Sequence, residues 1–259
     1  MNVLADREPM RPPEQTRKNR KSHPGVLGNE RLSALVGSVL LVLMLAEIVV
    51  AAQLHVLLSA HIVVGMLLTV PLLVKLGSVG YRFLSYYAGI RAYVRKGPPR
   101  LELRLLAPLL LVASVSLVMS GITLALLGPT NAWSVWVLRL HALSVICWLP
   151  LLALHVGVHI WRVPRLIIAD WRNRATRVIP GRGWRYGITI FALLAGGGAA
   201  ALFLPYTAAW VAWAPTLDPH IPGPLLFALF AAFLAGLGGL VVFRPWRWQE
   251  ESGDRTRQS

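Results

Sequence analysis

Residues Trp133–Trp161 read WSVWVLRLHALSVICWLPLLALHVGVHIW, and this stretch decides the fold of the chain. It is long enough to cross a bilayer as a tilted helix, which needs about 20 apolar residues. It carries His141, His155 and His159. Because a helix turns by about 100° per residue, the three imidazoles lie within roughly 40° of one another on one stripe. Imidazoles are costly in hydrocarbon, so we expect this stripe to face a bundle interior, a ligand or a cofactor.

The composition is that of an integral membrane protein, with 56% hydrophobic and 14% charged residues in a chain of 259. The net charge of +15 would suit a nucleic-acid-binding protein, but the placement of the charges argues against this. Of the 26 Lys and Arg residues, 24 fall in four segments, 1–31, 82–104, 162–185 and 244–259. This alternation follows the positive-inside rule and predicts membrane lipid, not nucleic acid, as the partner of the chain.

The pattern predicts an all-α bundle of six transmembrane helices with both termini in the cytoplasm, in the bacterial cytoplasmic (inner) membrane. The expected spans are 32–52, 57–79, 105–127, 133–161, 187–205 and 225–243. Residues 1–31 are predicted to be a disordered basic tail, and residues 32–162 a four-helix bundle. A basic cytoplasmic loop is expected over 163–186, a two-helix packing hairpin over 187–243, and a cytoplasmic tail over 244–259.

The first two spans contain four residues of interest for a site or for the interface. Glu47 lies in the outer quarter of the first span, where a carboxylate suggests a functional site. Structural alternatives are a hydrogen bond to a neighbouring helix or an ion pair with Arg139. His61 lies about one turn inside the second span, and Gly65 follows on the same face. Lys75, near the inner end, is expected to extend its ammonium group to the cytoplasmic interface.

His61 and His141 lie at similar depth on two spans that run in the same direction. Two neutral imidazoles that face each other at one depth can occupy both axial positions of a haem iron. Gly65 would leave room for the ring, and Arg139 at the outer rim could pair with a haem propionate. We therefore predict that His61 and His141 bind a haem near the outer face.

With these features the chain resembles the b-type cytochrome membrane subunits of hydrogenases, formate dehydrogenases and molybdenum-dependent oxidoreductases. The resemblance covers residues 29–162 and depends on His61, His141 and His155, together with span order and topology. It implies a haem-binding bundle with one or two haem b groups and two extra helices. It also implies electron transfer between the quinone pool and a redox partner subunit, and a quinone as a further ligand.

The inner level of the predicted bundle departs from that family. Helices of this kind commonly carry two histidines about fourteen residues apart, and Lys75 stands where the second histidine of its helix is expected. An inner haem at His155 therefore lacks its second ligand, so one haem is the favoured number. His155 and His159 could instead bind a metal together, bind a quinone headgroup, or contact neighbouring helices.

The sequence contains no phosphate-binding loop, CxxC or HExxH motif. This favours a non-catalytic electron-transfer subunit of an oxidoreductase complex over a self-sufficient enzyme. A haem-free membrane scaffold and a small transporter are the alternatives. A transporter would favour broken helices and charged residues at the midplane, and the histidine-bearing spans are interrupted only by Pro71 and Pro150.

Overall fold

The computed structural model describes residues 23–95, 101–160, 162–172, 179–217 and 220–242, and this part of the chain is helical. Its α-helices are α1 Pro24–Ala51, α2 Leu54–Tyr87, α3 Arg91–Val94, α4 Leu101–Leu127, α5 Ser134–His159, α6 Arg162–Trp171, α7 Arg182–Trp213 and α8 Gly223–Val242. A 3-10 turn over Ala214–Thr216 follows α7. Six of these helices, α1, α2, α4, α5, α7 and α8, are long and apolar enough to cross a membrane. The all-α fold with six helices that could span a membrane is thus confirmed, and its orientation stays a prediction.

The first helix begins earlier than the predicted boundary at residue 32. Pro24 stands in the first turn, where its missing N–H costs nothing. The Nδ1 atom of His23 caps the turn by accepting a hydrogen bond from the Gly25 N–H at 3.2 Å. Residues 24–31 are therefore helical and do not belong to a disordered tail. Residues 1–22 of the predicted tail and all of residues 244–259 lie outside the described residues.

The predicted loop over 163–186 is also largely helical where the structure describes it. Helix α6 follows α5 almost directly and occupies Arg162–Trp171. Gly181, with φ of 86°, takes a left-handed conformation that favours glycine and directs the chain into α7. The helix α7 starts at Arg182, before the predicted span start at 187.

Polar contacts fasten the end of the bundle where α1 begins. Glu30 is buried, and its Oε1 atom lies 3.1 Å from the Arg162 guanidinium and 3.5 Å from that of Arg82. Asn29 and Ser78 exchange two hydrogen bonds, at 3.0 and 2.8 Å. These contacts join α1 to α2 and α6. They give the polar side chains near the start of α1 partners on the neighbouring helices, so the helix can include this polar segment.

Helices α1 and α2 form one antiparallel pair, and α4 and α5 form another. Helix α7 packs along α2, while α8 packs along α5. The expectation that residues 187–243 form a packing hairpin is therefore wrong, because each of these two helices has its main partner in the four-helix bundle.

Small residues explain this choice of partners. A Cβ atom at Gly196 of α7 would overlap the Leu67 carbonyl of α2, so only glycine permits this approach of the two backbones. Gly157 of α5 faces α8 less tightly, since a Cβ at this position would be in ordinary van der Waals contact, 3.5 Å from the Gly236 carbonyl and 3.8 Å from the Gly239 Cα. Each glycine patch thus fits a different helix of the bundle.

Candidate cofactor site

A central cavity of about 2380 Å³ runs between the two helix pairs. Ligand cavities in proteins commonly measure about 300–1,000 Å³, so this space exceeds what one small molecule needs. Its wall is mostly apolar and contains all eight residues predicted for the site. They are Glu47, His61, Gly65, Lys75, Arg139, His141, His155 and His159.

Four polar side chains meet across the end of this cavity nearest the α1–α2 turn, and we call them the outer cluster: Glu47, His61, Ser120 and His141. The His61 and His141 rings have centroids 6.2 Å apart and an angle of 81° between their planes. The structure therefore brings together the two histidines that the sequence placed at similar depth. It adds Glu47 and Ser120, which sequence reasoning did not connect to them.

The Nδ1 atom of each histidine in the outer cluster lies beside a polar group, as a close contact for His61 and as a hydrogen bond for His141. The Nδ1 of His61 lies 2.5 Å from Oε1 of Glu47, with side chains only 24% and 16% exposed. The Nδ1 of His141 lies 3.0 Å from the Ser120 hydroxyl oxygen. That hydroxyl donates its proton to the backbone carbonyl of Ser116 or Leu117, at 2.7 and 3.0 Å, so it accepts the bond from His141.

These partners define a tautomer. The Ser120 oxygen accepts the Nδ1 proton of His141, which leaves the Nε2 lone pair of that ring available. The Glu47 carboxyl group beside Nδ1 of His61 favours the same tautomer for the second ring. Metal-binding histidines in proteins usually have this arrangement, because a carboxylate, carbonyl or similar group holds the second ring nitrogen. The outer cluster thus suits Nε2 ligation by both histidines, with a hydrogen bond behind His141 and a carboxyl contact behind His61.

The spacing also suits a haem iron between two rings. A metal about 2 Å from the nitrogen of each of two opposed imidazoles places their centroids roughly 6 Å apart. Gly65 lines the cavity here, and a Cβ added to it would approach only Oε1 of Glu47, at 3.8 Å. Gly121 lies behind His141, where a Cβ would be 3.3 Å from the ring carbon Cε1. The residues present therefore fit axial ligation of a haem by His61 and His141.

The contacts of Arg139 differ from the ion pair with Glu47 that was one of the alternatives. It is exposed, and its guanidinium lies 4.8 Å from the centre of the Trp136 ring. Glu47 is in contact with His61, so the suggested Glu47–Arg139 ion pair is replaced by a Glu47–His61 contact. Arg139 still lines the outer end of the cavity, which is compatible with a role beside a propionate.

The inner level of the cavity is built differently. The ammonium group of Lys75 donates to the Ser33 carbonyl at 2.6 Å and lies 2.8 Å from the Ser33 hydroxyl, so it is held by α1 and does not extend to the interface as expected. The rings of His155 and His159 stack, with centroids 4.6 Å apart and planes at 21°. Imidazole lone pairs lie in the ring plane, so two nearly parallel stacked rings do not direct their nitrogens at one ion. In this arrangement the pair does not form a joint metal site.

Hydrogen bonds between α4 and α5 keep His141 in place. The Ser116 and Ser144 hydroxyls are 2.8 Å apart, and the indole N–H of Trp148 donates to the Ser114 hydroxyl at 2.8 Å. In the sequence, Ser114, Ser116 and Ser120 are small residues of α4 that permit close helix packing. Their hydrogen-bonding role, and that of Ser120 toward His141, depends on the facing helix and was not predicted.

Comparisons of this chain with protein-family models, with curated proteins and with solved structures find no match. Within the described residues, no group of three or more His, Cys, Asp or Glu side chains is arranged to hold a metal ion. The geometry of the cavity and of the outer cluster is therefore what indicates a function for this chain.

Proposed function

We propose that this chain is a b-type cytochrome subunit that transfers electrons in a membrane, with His61 and His141 as the axial ligands of its haem. The observation that carries the proposal is the pair of imidazoles 6.2 Å apart in a large apolar cavity, with Glu47 beside Nδ1 of His61 and Ser120 hydrogen-bonded to Nδ1 of His141. Structural histidines would need only hydrogen-bond partners. The cavity wall and the available Nε2 atoms favour a ligand between them.

A bound haem would supply a one-electron iron couple, whose potential depends on its axial ligands and their hydrogen bonds. The residues of this chain have supporting roles. His61 and His141 bind from two helices, while Glu47 and Ser120 orient their rings. The cavity wall is mostly apolar, and Gly65 and Gly121 keep the space beside the histidines free of side chains.

In the proposed role, the subunit passes electrons between the quinone pool and a redox partner subunit in a bacterial cytoplasmic membrane. Support comes from the positive-inside charge pattern and from the resemblance of residues 29–162 to the membrane subunits named above. The favoured haem number is one, because Lys75 is held by Ser33 at the level where a second ligand to an inner haem is expected.

A pyridine haemochrome assay on the purified full-length protein tests the proposal, since it gives the haem type and the haem-to-protein ratio together. We expect about one haem b per chain, by the two-ligand argument. His61→Ala and His141→Ala should abolish haem binding or convert the haem to high spin, because the iron loses one strong-field nitrogen.

His155→Ala is the matched control, since it removes a histidine from the same cavity on the same helix as His141, about 21 Å away along the axis. It should retain the outer haem, and so should His159→Ala. A protein without haem after expression with sufficient haem supply would favour the haem-free scaffold. Haem loss in His155→Ala alone would move the site to the inner level and refute the assignment of His61 and His141.

The proposed role also predicts that the isolated chain needs a partner. Purified protein should exchange electrons with a quinol analogue or an artificial donor without converting a soluble substrate. Turnover of a soluble substrate by the chain alone, without an added redox partner, would contradict the role of a non-catalytic subunit.

A further inference from the structure

The end of the central cavity away from the outer cluster has a basic wall, and we call it the inner chamber. Its basic and histidine residues come from α2, α4, α5 and α6. They are Lys75, Arg82, Arg104, His155, His159 and Arg162. Arg165 lines the same end of the cavity.

Among the residues that the structure describes, acidic groups balance the positive charges of the inner chamber only in part. Among the described residues of the cavity wall, the acidic members are Glu30 and Glu47, and Glu47 belongs to the outer cluster. Glu30 is shared between Arg82 and Arg162. Arg104 donates to the Tyr87 hydroxyl at 3.0 Å, a neutral partner. An anion between these side chains would be attracted by several cations at once, and guanidinium groups bind phosphate well, so an anionic ligand suits this chamber.

The wall next to these cations is apolar toward the middle of the bundle. Leu68 and Leu72 of α2 and Leu152 of α5 line the cavity between the inner chamber and the outer cluster. The Nδ1 atom of His159, at the boundary between the basic and the apolar wall, is buried and has no hydrogen-bond partner among the described residues. A ligand that fits this surface has an anionic head, a hydrogen-bonding group below it, and an apolar chain.

We propose that the inner chamber binds one anionic phospholipid, with its phosphate at the arginines of the chamber and an acyl chain along Leu72 and Leu152. Basic pockets between transmembrane helices on the cytoplasmic side are suited to anionic headgroups, and the membrane supplies such lipids at this level. The site is distinct from the outer cluster, so it does not require that the protein bind haem.

Native mass spectrometry of the full-length protein, delipidated in detergent, tests this site. Phosphatidylglycerol and phosphatidylcholine with identical acyl chains are titrated in parallel. We expect one phosphatidylglycerol per chain to remain bound at concentrations where phosphatidylcholine does not. Glycerol phosphate, which has the anion without chains, should not displace it at the same concentration.

Arg104→Gln and Arg165→Gln are the test variants, because both side chains are exposed at the mouth of the chamber and neither is required to pair with Glu30. Each should weaken phosphatidylglycerol binding about fivefold, which corresponds to about 1 kcal/mol for one basic residue near an anionic lipid. Arg95→Gln is the matched control, since Arg95 is exposed after α3 and does not line the cavity. Its phosphatidylglycerol affinity should equal that of the original protein.

Three results would overturn the proposal. One is equal binding of the two phospholipids, and another is a loss of affinity in Arg95→Gln as large as in Arg104→Gln and Arg165→Gln. The third is a second haem per chain that disappears in His155→Ala, because a haem would then occupy the chamber. The first two results leave the outer haem assignment untouched, so failure of the lipid site and failure of the proposed function are distinguishable.

Discussion

Replacing Glu47 by Gln tests the most specific feature of the outer cluster, the carboxylate that holds His61. The substitution keeps the shape of the side chain and removes its charge. The Glu47–His61 contact of 2.5 Å lies among side chains that are 16% and 24% exposed, so solvent screens it only in part. Removing a hydrogen-bonding partner of a metal-binding histidine typically lowers metal affinity about 10–100-fold. At 1.4 kcal/mol per factor of ten, this corresponds to about 1.4–2.8 kcal/mol.

The assay is a haem titration of the apoprotein, followed by absorbance, for the original chain and for Glu47→Gln. Ser120→Ala is the comparison variant, because it removes the neutral partner of the other histidine. A neutral hydrogen bond contributes about 0.5–1.5 kcal/mol, so the loss of affinity should be smaller, at most about tenfold. Helical circular dichroism checks that both variants are folded.

The midpoint potential of the haem gives a second measurement. A carboxylate that accepts the Nδ1 proton makes the imidazole a stronger donor and favours the oxidised iron. Glu47→Gln should therefore raise the potential, and Ser120→Ala should change it less. A folded Glu47→Gln variant with unchanged haem affinity and unchanged potential would refute the role of Glu47 in orienting His61.

Three further predictions concern packing, the ring of His141 and topology. Gly196→Ala should lower the free energy of unfolding in detergent by about 1–3 kcal/mol, because the added Cβ would overlap a backbone carbonyl of α2. Gly197 faces open space, so Gly197→Ala should have little effect in the same thermal unfolding measurement. Gly121→Val should displace His141 and reduce the haem-to-protein ratio without loss of helical circular dichroism, whereas a normal ratio would show that the ring has room to move. A cysteine in place of Arg95 should be protected from a membrane-impermeant thiol reagent in intact cells, and labelling from outside would contradict the predicted orientation.

Much of the architecture follows from the sequence alone, for a local physical reason. The length of an apolar run decides whether a helix can cross a membrane, and all six predicted spans are helices in the structure. Depth along a helix is also a local property, at about 1.5 Å per residue. Depth along the two helices is therefore enough to predict that His61 and His141 lie close together. Their ring centroids are 6.2 Å apart in the structure.

Only the tertiary structure decided which side chain meets which across the bundle. Helical periodicity gives the direction of a residue from its own axis but not the identity of the neighbouring helix. Glu47 contacts His61 and not Arg139 because α1 and α2 are direct neighbours, and Lys75 reaches Ser33 for the same reason. Likewise, α7 and α8 were adjacent in sequence, but their glycines fit α2 and α5, where close backbone packing is available.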